Sequence, residues 1–116
     1  MKERDARIEV GSGDVFTDLG FDAQEAAELA ARSACIRRIA RIKEQRGWNQ
    51  VQLGKAIGMR QSEVSQLLSG KVSRFSLERL LHALNALGIA VHITLLEAPT
   101  PGWVVEDRVE AGVERG

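Results

Sequence analysis

Between Gly58 and Gly70 the chain reads "MRQSEVSQLLS", and Gln61, Ser62, Ser65 and Gln66 carry uncharged donors and acceptors at helical spacing. Val64, Leu67 and Leu68 share the opposite side by their i, i+3, i+4 spacing, so the four polar residues point outward. A helix with such a face can enter a DNA major groove. Glutamine pairs bidentately with adenine, serine bonds base edges or phosphate, and short side chains let the helix sit deep. Lys71 and Arg74 follow the helix and would clamp the phosphate backbone, while Gln50 opens the preceding helix where free backbone N–H groups suit a phosphate.

The elements that must position these residues are legible from caps and periodicity. Asn49 is the expected N-cap of a helix over Gln50 to Ile57. Gly58 ends it, because the turn needs a left-handed residue. The helix carrying the polar face runs from about Gln61 to Leu68 and stops at Gly70. Ser76 caps a further helix to Leu87, with Phe75 and Leu80 at the two positions of a hydrophobic staple. Upstream, Asp22 and Glu25 form a capping-box-like start to alanine-rich helical sequence reaching Arg46, as one helix or two meeting near Ser33. Phe16, Leu19 and Phe21 belong to a short apolar segment before it. These pieces predict a mainly α bundle of four to five helices. Residues 1–21 are an arm and apolar segment, 22–88 the helix-turn-helix unit, 89–97 a strand and 98–116 a flexible tail.

The formal net charge is zero, but it is unevenly spread. Residues 1–32 carry −4, residues 33–82 carry +7 and residues 83–116 carry −3. The basic charge therefore surrounds the polar helix, and affinity for phosphate through counterion release depends on local charge. A lone Cys35 and two histidines, His82 and His92, are too few for a structural zinc site, and they imply no cofactor and no catalytic constellation. Cys35 reads as a small core residue of a reducing cytoplasm. The charged start "MKERDARIEV" is unlike a signal peptide, and no apolar run is long enough to span a bilayer.

The run "NQVQLGKAIGMRQSEVSQLLSGKVSRFSLERLLHALNALG" resembles the helix-turn-helix domain of the Xre/lambda-repressor-like family. With "GDVFTDLGF" before it and a strand after it, residues 11 to 96 are similar to HigA-type antitoxins and their stand-alone relatives. The resemblance implies a lambda-repressor-like bundle, places recognition at Gln61, Ser62, Ser65 and Gln66, and puts a phosphate contact at Gln50. One position departs from the pattern. Where the family has Ser or Thr as the cap of the recognition helix, this chain has Arg60, which cannot accept the cap hydrogen bond but can reach a phosphate or a guanine edge. Glu63 would repel phosphate, and it is expected to point sideways.

"IAVHITLLE" alternates Ile89, Val91, Ile93 and Leu95 against Ala90, His92 and Thr94, which is strand periodicity. A lone strand leaves its backbone unpaired, so its partner is either Ile8 to Val10 or the same strand of a second copy. The second arrangement is preferred. It would make a homodimer whose two recognition helices face successive major grooves of a palindromic operator. Two functions follow. One is a repressor that is also an antitoxin, since the resemblance implies a RelE/HigB-like ribonuclease partner, masked by the acidic first third. The other is a stand-alone transcriptional regulator without a toxin.

Overall fold

The computed structural model describes residues 8–10, 14–99 and 102–108. In chain order the elements are β1 (Ile8–Val10), α1 (Asp14–Asp18), α2 (Ala23–Gln45), α3 (Gln50–Ile57), α4 (Gln61–Leu68), α5 (Leu77–Ala86) and β2 (Val105–Asp107). A 3-10 turn, Val72–Arg74, joins α4 to α5. The expected mainly helical, five-helix architecture is present.

One long helix organises the rest. The sequence from Asp22 to Arg46 is a single α2, and Asp22 Oδ1 caps it by accepting from the Glu25 N–H at 2.8 Å. Its first half buries Ala26, Ala27, Ala30, Ala31 and Ala34, small residues that let neighbours approach its backbone closely. α1 packs here, with Phe16 edge-on to Phe21 at 6.2 Å between ring centroids. The second half presents Cys35, Ile36, Ile39 and Ile42 to a core completed by Leu53 and Met59, Val64 and Leu67 of α4, and Phe75, Leu80, Ala83, Leu84 and Leu87. Phe75 and Leu80, the two staple positions, are both buried, and each contributes about 1.5–3 kcal/mol by leaving water. Ser76 Oγ accepts from the Arg79 N–H at 3.2 Å, capping α5 as expected. Arg46 closes the far end. Its guanidinium donates to the Leu87 carbonyl at 2.9 Å and lies 5.0 Å over the Trp48 ring. Cys35 is buried, and burial, reinforced by nearby Asp107, pushes its thiol above the usual value, which makes it a poor nucleophile.

At the chain ends one expectation is corrected, the flexible tail, and one alternative, pairing of residues 89–97 with Ile8–Val10 of the same chain, is set aside. Residues 89–97 form no strand in the single chain. The strand at the C-terminal side is β2, inside the stretch expected to be a flexible tail. Ile8–Val10, the in-chain partner considered for residues 89–97, instead pairs antiparallel with β2, Ile8 opposite Asp107 and Val10 opposite Val105. The reason is a side-chain tether that periodicity does not reveal. The Asp107 carboxylate accepts from the Arg38 guanidinium on α2, and both side chains are largely buried. Gly102 of the same segment lies beside Ala27 of α2. The Ile89 N–H is committed to the Leu84 carbonyl at 3.0 Å, and its carbonyl accepts from Asn85 Nδ2 at 2.9 Å. Ile89 and Val91 lie half-buried against the core, whereas Ile93 and Leu95 are 74% and 90% exposed. The rest of the expected arm (residues 1–7 and 11–13) and the end of the expected tail (100–101 and 109–116) lie outside the described residues. No described helix is long and apolar enough to cross a membrane.

A close fit is found between α3 and the turn into α4. Gly54 is buried mid-helix, and a Cβ there would stand 2.6 Å from the Met59 carbonyl oxygen and 3.3 Å from Val64 Cγ2. Gly54→Ala gains helix propensity of about 1 kcal/mol, yet it must push the α4 turn away, and overpacking of this kind costs roughly 1–3 kcal/mol. The variant is expected to unfold at lower urea concentration than the natural chain. An unchanged or higher midpoint would mean that α3 and α4 have room to separate.

Candidate nucleic-acid interface

The two short helices are set by their ends. Asn49 and Gln52 make a complete capping box at α3: Asn49 Oδ1 accepts from the Gln52 N–H and Gln52 Oε1 from the Asn49 N–H, both at 2.8 Å. At the other end Gly58 is left-handed (φ 75°), and the Met59 N–H returns to the Gly54 carbonyl at 2.9 Å. This short turn delivers the chain to Arg60, the N-cap of α4.

Helix α4 then divides into two faces. Val64 and Leu67 are completely buried and Leu68 half-buried, so hydrophobic burial seats one face on the bundle. Gln61, Ser62 and Ser65 are exposed and Gln66 is half-buried, on the side away from the core. Past the helix, the Lys71 N–H donates to the Gln66 carbonyl at 3.1 Å and the Arg74 N–H to the Lys71 carbonyl at 3.0 Å. These bonds, with Val72 packed on the core, hold the exposed Lys71 and Arg74 side chains beside the C-terminal end of α4. Gln50 is half-buried at the first position of α3. The sequence-derived set is thus carried on α3, α4 and the turn that follows. Ile89, Val91, Ile93 and Leu95 lie on the separate segment after α5.

The N-terminal end of α4 holds a charge cluster that spacing did not disclose. Arg60 provides no side-chain cap, because a guanidinium has no acceptor. Only the reverse half of the box forms, with Glu63 Oε1 accepting from the Arg60 N–H at 3.0 Å. Glu63 indeed turns sideways. Its Oε2 accepts from Arg79 on α5 at 2.7 Å, and the Arg79 guanidinium lies 5.6 Å over the buried Phe75 ring. Arg79 was not among the expected residues, and with the partners sixteen positions apart no local pattern links it to Glu63. The Arg79 hydrogen bond first, and the Arg60 N–H second, hold the Glu63 carboxyl below its ordinary value. A group with a lowered folded pKa adds stability that is present above the ordinary carboxylate value and is lost as pH falls through the folded one.

What such a surface can do chemically is donate and accept hydrogen bonds in a groove, with cations at its margins. A model of the helix-turn-helix domain family matches residues 15–95, from α1 through the segment after α5 and stopping before β2. A solved structure described as that of an XRE family transcriptional regulator is similar to this chain, with 26% sequence identity and a TM-score of 0.61. The likeness covers 76% of this chain and 99% of that one. Comparison with curated proteins yields no match.

The incomplete cap at Arg60 is open to repair. Arg60→Ser supplies the missing acceptor for the first turn of α4, and the added cap is worth about 0.5–1 kcal/mol. The exposed Arg60 side chain contributes little in exchange, since its Nε stands 3.8 Å from Glu63 with 82% of the side chain in water. The variant should show a raised thermal midpoint. A lowered midpoint would mean that the Arg60–Glu63 pair outweighs a serine cap.

Proposed function

Because this chain belongs to the helix-turn-helix domain family, we propose that it is a DNA-binding transcriptional regulator of the Xre type, with α4 as its reading helix. The observation that carries this is the division of α4 into a buried apolar face and an exposed face of small polar residues, flanked by Lys71 and Arg74. On this reading Gln61 and Gln66 bond adenine edges, and Ser62 and Ser65 bond bases or phosphates. Arg60 reaches a phosphate or a guanine. Gln50, Lys71 and Arg74 hold the phosphate backbone and set the register.

The same proposal makes the regulator a homodimer. Residues 89–97 alternate apolar and polar side chains and leave Ile93 and Leu95 exposed; pairing of the residues beyond Ile89 with the same segment of a second copy would engage their backbone and cover these side chains. Two reading helices would then address a palindromic operator with half-sites about 34 Å apart. Footprinting on the DNA upstream of its own gene tests both parts. Gln61→Ala with Gln66→Ala should cost about 1–3 kcal/mol per lost base contact and relax sequence preference. Lys71→Ala should weaken all sequences alike and reduce the salt slope by about one. A preference that survives the double glutamine substitution would remove α4 as the reader, and protection of a single half-site would remove the dimer.

Acidic residues in the first third, with Leu19 and Phe21 exposed beside Asp18 and Asp22, favour a second role on the same chain. Such a surface suits a basic, RNA-binding protein, and with the resemblance to HigA-type antitoxins it supports neutralisation of a RelE/HigB-like ribonuclease. Co-expression with the adjacent reading frame should then yield a complex of the two products. Separate elution of two folded proteins would leave a stand-alone regulator.

A further inference from the structure

We infer that Glu63 is a built-in counter-anion that limits the sequence-independent part of DNA binding, lowering affinity and its salt dependence without itself reading a base. The inference rests on the proposed DNA-binding role of α4 and assigns a further task to the cluster at its N-terminal end. An acid in the first turn of a reading helix would ordinarily oppose a polyanion. Here its charge is consumed internally. One carboxylate oxygen holds the Arg79 guanidinium at 2.7 Å, and the other holds the Arg60 N–H at 3.0 Å and lies 3.8 Å from Arg60 Nε. Two guanidinium groups beside the reading face thus share one carboxylate, and their combined charge is one instead of two.

Position makes that subtraction matter. The Glu63 side chain is 23% exposed, whereas those of Arg60 and Arg79 are 82% and 41% exposed, so both cations are more open to solvent than the anion that pairs with them. Arg79 is additionally held over the Phe75 ring, 5.6 Å from its centroid. Counterion release counts net positive charge brought to phosphate, with each neutralised phosphate changing the slope of log affinity against log salt by about 0.9. Base-edge bonds from Gln61 and Gln66 are not part of that count. Removing about one charge therefore weakens binding to every sequence alike and makes it less dependent on salt, while the base contacts are unchanged.

Glu63→Gln and Arg79→Gln in the full chain separate this from a clamp that merely fastens α4 to α5, because both variants break the same bond but change the charge in opposite directions. Glutamine at position 63 keeps an acceptor for the Arg60 N–H. The probe is a random-sequence duplex titrated at several salt concentrations, with thermal unfolding of each variant in the same buffers. Glu63→Gln is expected to bind it about five- to tenfold more tightly near ~0.1 M salt, with a slope steeper by about one. Arg79→Gln, which leaves Glu63 without its cation, is expected to bind more weakly with a shallower slope. If the two variants shift in the same direction, or if Arg79→Gln binds as the natural chain does, the counter-anion role is wrong. Should the natural chain retain no duplex at the lowest salt, the DNA-binding reading itself fails, a result distinct from either.

Discussion

The arrangement of α4 depends on how closely α3 and the turn after it can approach. At Gly54 there is no room for a methyl group, since the Met59 carbonyl stands where a Cβ would need about an additional half ångström or more to fit. That contact sets the separation of the two short helices, and Val64 fills the space beside it. With Val64 and Leu67 anchored in the core, the exposed Gln61, Ser62 and Ser65 take their orientation from the helix that carries them. The exposed polar groups stay solvated by water, while burial of Val64 and Leu67 on the opposite side seats the helix.

Around this packing, hydrogen bonds at helix ends decide direction more than they add stability. The Asn49–Gln52 box and the left-handed Gly58 fix where α3 begins and ends, and Ser76 does the same for α5. At α4 the usual acceptor is replaced by Arg60, and Glu63 supplies the compensating bond to the Arg60 N–H. Glu63 then does double duty, because its second oxygen ties α4 to Arg79 on α5. The weakest cap of the bundle and its one α4–α5 ion pair among the described residues are therefore the same side chain.

The chain ends show how a tertiary tether overrides local pattern. Residues 89–97 have the better alternation, yet β1 pairs with Val105–Asp107. Alternation expresses only that one face wants burial; a ladder also needs a partner at the right place. Arg38, in the second half of α2, holds Asp107 and with it the strand, whereas the segment after α5 is turned by the Asn85 and Leu84 bonds to Ile89.

Helices, caps and the two faces of α4 were determined by the sequence alone, because each is governed by neighbours within about four positions: Asn49 and Gln52, Ser76 and Arg79, Val64 and Leu67 with Leu68. Charge distribution along the chain was equally local, and the zero net charge hides a basic middle. Tertiary structure decided what depends on residues far apart. Glu63 meets Arg79, Arg38 meets Asp107, and Arg46 meets the Leu87 carbonyl across sixteen, sixty-nine and forty-one positions. No periodicity encodes such pairings, since they exist only after the core has brought the helices together, and they decide which charges at the candidate interface are spent within the protein and which remain facing outward.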